Sequence, residues 1–421
     1  MGVLAGLERR IAVKLEEKIM KKRLQHMEEE AVNEMLHYHE KNGKQKIKDF
    51  IKRAAGRYVE PKDMIFWHTA LIVNSLTEWG MEDRFLPDVK TYFDRWIGAG
   101  MPVYFVDDVL AGASLIDLYE KTGEEKYKQG ADKLAEYLFA LEKEEGDEKG
   151  GIPYRPSQKN GHIYADGIGM ICSFLIKYGV KFESIHGVEL GLQQMRNMMA
   201  FGMDAKTGLP YHGFRYADGI KHGIIGWGRA VGWLFIGMGR SLACLGSMKK
   251  KREESKAGEL KEGQEFCECC RRAYEELERA FWQLFRAIEP YQKKNGSFGW
   301  QLEALEGPED SSATAMIAYG TVLVLRGQQG MGKAESAKEG PNQIEEVETA
   351  GKCPDQMREA ARKLAERAAE YLVSCERGGK IYNCSAECMG FSEYPQQYSA
   401  YPWSLGPGLG VLRWYGEEIC E

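Results

Sequence analysis

Apolar residues recur along this chain at spacings of three and four. Val106, Val109, Leu110, Ala113 and Ile116 follow that rule, as do Met357, Ala361, Leu364, Ala368 and Tyr371; such a repeat lays apolar side chains along one face of a helix. Strand-like alternation is scarce. The pattern predicts about a dozen helices, near 46–57, 67–80, 85–98, 107–122, 126–142, 164–179, 185–202, 227–246, 264–289, 310–326, 356–376 and 402–416. Residues 1–45 are set apart as an added N-terminal helical segment, and 46–421 read as one domain. Two stretches interrupt that domain. Ser247–Glu265 is charged and thin in large apolar groups, and Gly327–Pro354 is rich in Gly, Gln, Glu and Lys. Both read as surface insertions, near 247–265 and 327–354, because helices of the same character continue on either side.

An all-α series of helical hairpins closes into a ring or stacks into an open solenoid. No clean repeat of roughly 33 to 47 residues with fixed signature positions is visible, which counts against the solenoid families. The 48 glycines exceed the roughly 7% of an ordinary chain, and many fall between helices, as in Gly98-Ala-Gly, Gly150-Gly and Gly406-Pro-Gly. Long loops carrying glycine, aromatics and single polar residues favour a ring with a pocket at one end.

Charge narrows the choice of partner. Fifty-seven Lys and Arg against 63 Asp and Glu leave a net charge of −6 without a basic block, which argues against a nucleic-acid partner. No apolar run approaches the roughly 20 residues that cross a bilayer, so no membrane partner is expected. Charged residues from Glu8 to Lys18 leave the first twenty positions without a signal-peptide core, and a cytoplasmic location is the expectation. Ten cysteines in so long a chain fit a reducing compartment. Cys267, Cys269 and Cys270 cluster without a second CxxC or a nearby His, so no metal is expected there.

Candidate chemistry sits where loops become helices. Asp166 opens a helix after the glycine loop Gly150–Gly161. An Asp there caps a helix in its own right, but Tyr154, His162 and Tyr164 nearby offer an apolar wall able to raise a carboxyl pKa toward that of a general acid. Asp107 and Asp108 stand at the start of another helix, and one of them has a capping role open to it. Asp107 and Asp166 are about two hairpins apart, so neighbouring positions around a ring fit, and a pair of carboxylates suits acid–base chemistry on a sugar. Trp227 can stack on a sugar face and Arg229 can hold a carboxylate through its planar fork. The alternatives are a core Trp227 and Trp233, a solvated Arg229 and a structural His212. Asp310 reads as an N-cap before a small-residue helix.

The order of these motifs resembles the unsaturated glucuronyl and rhamnogalacturonyl hydrolases, glycoside hydrolase families 88 and 105. The resemblance runs from about Trp67 to the C-terminus. It is carried by Val106-Asp107-Asp-Val-Leu-Ala-Gly112 with Leu118-Tyr-Glu-Lys-Thr-Gly123, Tyr164-Ala-Asp166-Gly-Ile-Gly-Met170, Gly208-Leu-Pro-Tyr-His212, Trp227-Gly-Arg229 through Gly232-Trp233, Asp310-Ser-Ser-Ala-Thr-Ala-Met316 and Gly406-Pro-Gly-Leu-Gly410. It implies an (α/α)6 barrel of six helical hairpins and no cofactor. Asp166 would protonate C4 of a 4,5-unsaturated uronic acid and activate water for attack at C5, with Asp107 as its partner. His212, Trp227, Arg229, Tyr164, Met170 and Trp233 are the substrate-binding residues the resemblance implies.

The sequence departs from the family pattern at three places. Ala230-Val231 stand where Gly-Asn is usual, Tyr164-Ala-Asp166 replaces a common Trp-x-Asp, and Arg155 takes the place of a loop His. The expected activity is release of an unsaturated uronic acid from lyase-derived oligosaccharides, pectin fragments foremost. The rivals are a barrel epimerase, which would want a pair of histidines where only eight His occur in the chain, and a non-catalytic carbohydrate-binding helical ring. The sequence leaves the oligomeric state open.

Overall fold

Thirteen α-helices are described in the computed structural model, which covers residues 2–38, 40, 43–56, 63–78, 80–155, 161–254, 264–329 and 354–420. They are α1 (Gly2–His37), α2 (Gly43–Ala54), α3 (Trp67–Thr77), α4 (Leu86–Gly98), α5 (Gly112–Thr122), α6 (Glu125–Glu145), α7 (Ala165–Phe182), α8 (Ile185–Asn197), α9 (Gly228–Glu254), α10 (Gln264–Ile288), α11 (Ser311–Gln329), α12 (Pro354–Cys375) and α13 (Pro402–Cys420). Two breaks refine the expected boundaries. A 3₁₀ turn, Val106–Ala111, precedes α5, and a π turn, Met198–Gly202, ends α8.

Six helices close a ring. Helix α3 packs on α5, α5 on α7, α7 on α9, α9 on α11, α11 on α13, and α13 back on α3. Helices α1, α4, α6, α8, α10 and α12 pack outside them, so the architecture is an (α/α)6 barrel. The two walls differ in sequence as their places demand. Every residue of α3 is buried, as befits a helix surrounded by others. Helix α10 buries only a stripe, Phe266, Cys269, Cys270, Ala273, Leu277, Phe281, Leu284, Phe285 and Ile288, and turns its charges outward.

Glycines inside the inner helices set their spacing. A Cβ on Gly169 of α7 would lie 2.3 Å from the carbonyl oxygen of Trp233 on α9, and one on Gly239 of α9 would lie 2.3 Å from the Gly320 carbonyl of α11. Real Cβ atoms do not approach so closely, so part of the glycine excess is a packing device of the barrel wall as well as a loop property.

The expected division at residue 45 is corrected. Met27, Ala31 and Met35 of α1 lie in the main core cluster, and α1 packs against α13, α3 and α4. It is the outer helix of the first hairpin and not an added segment. Helix α2, expected among the barrel helices, buries no residue and leaves Ile47, Phe50 and Ile51 exposed. The expected insertions fall largely outside the described residues; what is described of the first is the end of α9. One stretch, Gly228–Met248, is long and apolar enough to cross a membrane, against the expectation that none approaches that length. It is inner helix α9, enclosed by α7, α10 and α11.

The two ends of the barrel are built differently. Loops at the N-terminal ends of the inner helices carry short strands: β1 (Ile163–Tyr164), β2 (Gly213–Arg215) and β3 (Ile220–His222) form one antiparallel sheet in that order. β4 (Glu376–Arg377) pairs with β5 (Lys380–Ile381), and β6 (Cys384–Ser385) with β7 (Tyr398–Ser399). Further down the inner helices, Glu78 accepts hydrogen bonds from Arg240 Nε and Tyr319 Oη. Beside them Asp117 accepts from Thr77 Oγ1 at 2.9 Å and Lys177 Nζ at 2.5 Å.

Candidate active site

A pocket at the N-terminal ends of the inner helices is lined by Phe66, Trp67, Asp107, Tyr154, Arg155, Tyr164, Asp166, His212, Trp227, Arg229, Glu387, Cys388 and Gly390. The 3₁₀ turn separates the roles of its two adjacent carboxylates. Asp108 Oδ2 accepts the backbone N–H groups of Tyr104 at 2.9 Å and Phe105 at 3.1 Å, so Asp108 is the cap. Asp107 faces the pocket, and its Oδ1 accepts a hydrogen bond from Tyr154 Oη. Burial pushes the Asp107 carboxyl up to about 7, against the opposing hydrogen bond from Tyr154.

Strand pairing sets the second carboxylate. Tyr164 pairs with Gly213 across β1 and β2, and the Ala165 N–H donates to the His212 carbonyl at 2.9 Å. That register brings His212 Nε2 to 3.1 Å from Asp166 Oδ2, while Nδ1 lies 2.7 Å from Tyr394 Oη. A neutral imidazole with its proton on Nε2 satisfies both contacts, with Tyr394 O–H donating to Nδ1. Tyr154 lies within electrostatic reach of both Asp107 and Asp166. A side chain at Gly167 would collide with the Tyr154 ring at 2.8 Å, so the glycine after Asp166 lets that ring lie between the two helix starts.

Arg229 does something other than the open carboxylate fork expected of it. It is 2% exposed; Nη1 donates to the Ser385 hydroxyl and, at 3.0 Å, to the Ser385 carbonyl, and Nη2 donates to the Ala386 carbonyl at 2.7 Å. Asp310 completes the joint. Its Oδ1 accepts from Ser312 N at 2.9 Å, which is the expected cap, and its Oδ2 accepts from Ser385 Oγ at 2.6 Å. Together they pin the β6–β7 loop over the pocket. From that loop Phe391 stacks on Tyr164 at 4.2 Å, and Glu387, Cys388 and Gly390 complete the lining.

Asp107, Asp166, Tyr164, His212, Trp227 and Arg229 therefore share one pocket. Met170 and Trp233, expected among the substrate-binding residues, do not line it. Both are 1% exposed in the main core, because their positions on α7 and α9 turn toward neighbouring inner helices; Trp233 packs edge-on to Trp67 at 5.7 Å. The sequence reading missed Phe66, Trp67, Glu387, Cys388 and Gly390. A run of aromatics in an otherwise polar stretch, Tyr382, Phe391, Tyr394, Tyr398 and Tyr401, was the available signal for the loop.

No group of three His, Cys, Asp or Glu side chains suited to a metal ion occurs among the described residues. Cys269 and Cys270 are buried on α10, and burial pushes both thiols up to about 12, away from the thiolate a metal needs.

The comparisons with known proteins agree with this architecture. The family model for Glycosyl Hydrolase Family 88 matches residues 40–346. An unsaturated rhamnogalacturonyl hydrolase of Bacillus subtilis, YesR, is 27% identical over 166 residues, 38% of this chain and 47% of that protein. The match thus spans about half the length of that relative. A solved structure of a possible member of glycoside hydrolase family 105 from Klebsiella pneumoniae superimposes with a TM-score of 0.68 at 16% identity, covering 95% of this chain and 93% of that one. An unsaturated glucuronyl hydrolase specific for heparin superimposes with a TM-score of 0.60 at 14% identity, covering 95% and 98%. At these identities the solved structures speak for the fold. The family model spans most of the chain, both walls of the barrel among its matched residues, and on that ground the chain belongs to glycosyl hydrolase family 88.

Proposed function

We propose that this glycoside hydrolase hydrates the C4=C5 bond of a 4,5-unsaturated uronic acid at the non-reducing end of a small oligosaccharide, and so releases that sugar. The observation that carries the reading is the pairing of Asp166 with His212 in the pocket that Asp107 also enters. The alkene is an enol ether, since C5 bears the ring oxygen. In the protonated state Asp166 gives its proton to C4, and positive charge develops at C5 and the ring oxygen. Water adds to C5, and its proton returns to the Asp166 carboxylate. The hemiketal formed at C5 opens, and C1 expels the remaining saccharide as an alcohol.

Each neighbour has a task in this scheme. His212, held by Tyr394, orients the Asp166 carboxyl and can give or accept a hydrogen bond as that group changes ionisation state. Asp107, whose carboxyl is pushed up to about 7, can hold a proton beside the charge that develops. Trp227 lines the pocket beside His212, and its buried indole N–H has no hydrogen-bond acceptor among the described residues. The inner helices point their N-terminal ends, where peptide dipoles are positive, at a substrate that is an anion. The Bacillus subtilis relative acts on unsaturated rhamnogalacturonyl substrates by its name, which supports pectin-derived oligosaccharides as the first class to try.

Hydration destroys the conjugated alkene, so loss of its ultraviolet absorbance reports turnover. Unsaturated disaccharides from pectin and glycosaminoglycan lyases should separate by rate, with the pectin fragments faster. Asp166→Asn should slow the loss by about 10⁴ or more, at the upper end for a group serving as both acid and base, with the melting temperature nearly unchanged. A folded Asn variant that consumes the alkene near the wild-type rate makes Asp166 a helix cap and the scheme wrong.

A further inference from the structure

Two guanidinium groups line the pocket, and the fold uses them in opposite ways. Arg229 is enclosed, with both Nη atoms donating to Ser385 and Ala386 and with Asp310 Oδ2 at 3.8 Å. Its guanidinium lies over the Trp227 ring, 4.7 Å from the centroid. A substrate carboxylate could take those donors only by unpinning the loop that roofs the pocket. Arg155 is exposed, and among the described residues it has no hydrogen bond and no ion pair. Its guanidinium lies 5.8 Å from the Tyr154 ring centroid. Tyr154 is in turn tied through its hydroxyl to Asp107, so the chain at Arg155 is anchored one residue from a contact with the acid pair.

In a 4,5-unsaturated uronide the carboxylate is bonded to C5, one end of the alkene. A cation that holds it must stand beside the groups that protonate and hydrate that bond. The pocket already carries the carboxyl groups of Asp107, Asp166 and Glu387, which oppose a second anion unless a cation with open donors meets it. We propose that Arg155, and not Arg229, grips the substrate carboxylate and is the residue that selects a uronide over a neutral sugar. The planar fork of arginine presents two parallel N–H groups to a carboxylate, and an exposed one keeps its donors open until substrate arrives. This inference rests on the proposed reaction. It assigns Arg229 to the architecture of the roof.

The test compares an unsaturated uronide disaccharide with its methyl ester, which keeps the alkene and loses the charge. With wild-type enzyme the free acid should be preferred. Arg155→Gln should raise KM for the acid by about 10- to 100-fold, the range for losing a hydrogen bond to a charged group, leave KM for the ester within about twofold, and change kcat little for either. Calorimetric titration of the acid into Asp166→Asn and into the Asp166→Asn, Arg155→Gln double variant should show the same loss without turnover. Equal effects on acid and ester, or no effect on either, overturn the assignment. So does a folded Arg229→Gln variant that alone erases the preference for the acid. If wild-type enzyme consumes no unsaturated uronide and Asp166→Asn binds none, the proposed reaction itself falls and takes this inference with it; turnover whose acid preference survives Arg155→Gln sinks the inference alone.

Discussion

The inner helices carry polar residues at both ends, and the two ends have opposite chemistry. Asp166 and Lys177 lie about three turns apart on α7, and Arg229 and Arg240 about three turns apart on α9, so each pair lies near one face of its helix. At the lower end charges meet directly across helices. Arg240 and Glu78, with side chains 3% and 4% exposed, form an ion pair, Tyr319 donates to the same Glu78, and Lys177 pairs with Asp117. At the upper end the partners come from loops, and the pocket carboxylates Asp107 and Asp166 have a phenol and an imidazole as their hydrogen-bond partners, with no lysine or arginine bonded to them among the described residues. A buried carboxylate held by a cation is a strut; Asp107, hydrogen-bonded to the Tyr154 hydroxyl and pushed up toward neutral pH by burial, is available for chemistry.

The largest effect expected from breaking this contrast is at the lower end. Glu78→Gln leaves the Arg240 guanidinium buried without its counter-charge, and removing one partner of a buried pair costs about 3–5 kcal/mol. Denaturant titration should show that loss, while KM and kcat measured well below the melting point stay near wild type. A variant that keeps full stability would mean that the lower cluster is no strut.

A smaller effect, opposite in sign, is expected at Asp107. Its carboxyl titrates at about 7 in the folded protein against an ordinary 3.8. Between those values the native state holds a proton that the unfolded chain has released, so wild-type stability falls as pH rises from about 4 to 7. Asp107→Asn stays neutral and can still accept from Tyr154. It should be more stable than wild type at pH 8, by up to about 4 kcal/mol at roughly 1.4 kcal/mol per pKa unit, and the gap should close toward pH 4. Melting curves across that range decide it. Parallel curves would show that Asp107 ionises like a surface carboxylate.

The smallest effect sharpens the role of the roof. Ser385→Ala removes a hydroxyl that bridges Arg229 and Asp310, and should cost about 1.5–3 kcal/mol, as for a hydrogen bond to a charged group. Hydrogen exchange should rise in the β6–β7 loop before it rises in the barrel wall. A uniform rise would show that the loop is latched elsewhere.

How far the site was legible follows from what each residue depends on. Asp107, Asp166 and Trp227 stand at loop-to-helix junctions, and a ring of hairpins gathers such junctions at one end, so local pattern was enough to nominate them; His212, expected at such a junction, instead precedes strand β2 and reaches Asp166 through strand pairing. Glu387 and Cys388 depend on a latch between Arg229 and a loop more than 150 positions away, and no local pattern carries that distance. Met170 and Trp233 sit inside the right motifs but on helix faces that look away from the pocket, and motif membership does not say which way a face turns.

The same division holds for the fold. Periodicity alone determined the helices, their number and their all-α packing, because an apolar stripe must be buried wherever it ends up. It misjudged the first two. The stripe of α1 is thin, carried by Met20, Met27, Ala31 and Met35 among charges, and reads as weaker than it packs. The stripe of α2, Ile47, Phe50 and Ile51, is strong and finds no cover in the barrel. The sequence by itself determined which segments are helices and which residue types stand at their ends. Only the tertiary structure decided which helix closes the ring, which arginine is built into the roof and which carboxylate keeps its proton, because each depends on burial and on partners that meet through the closed ring.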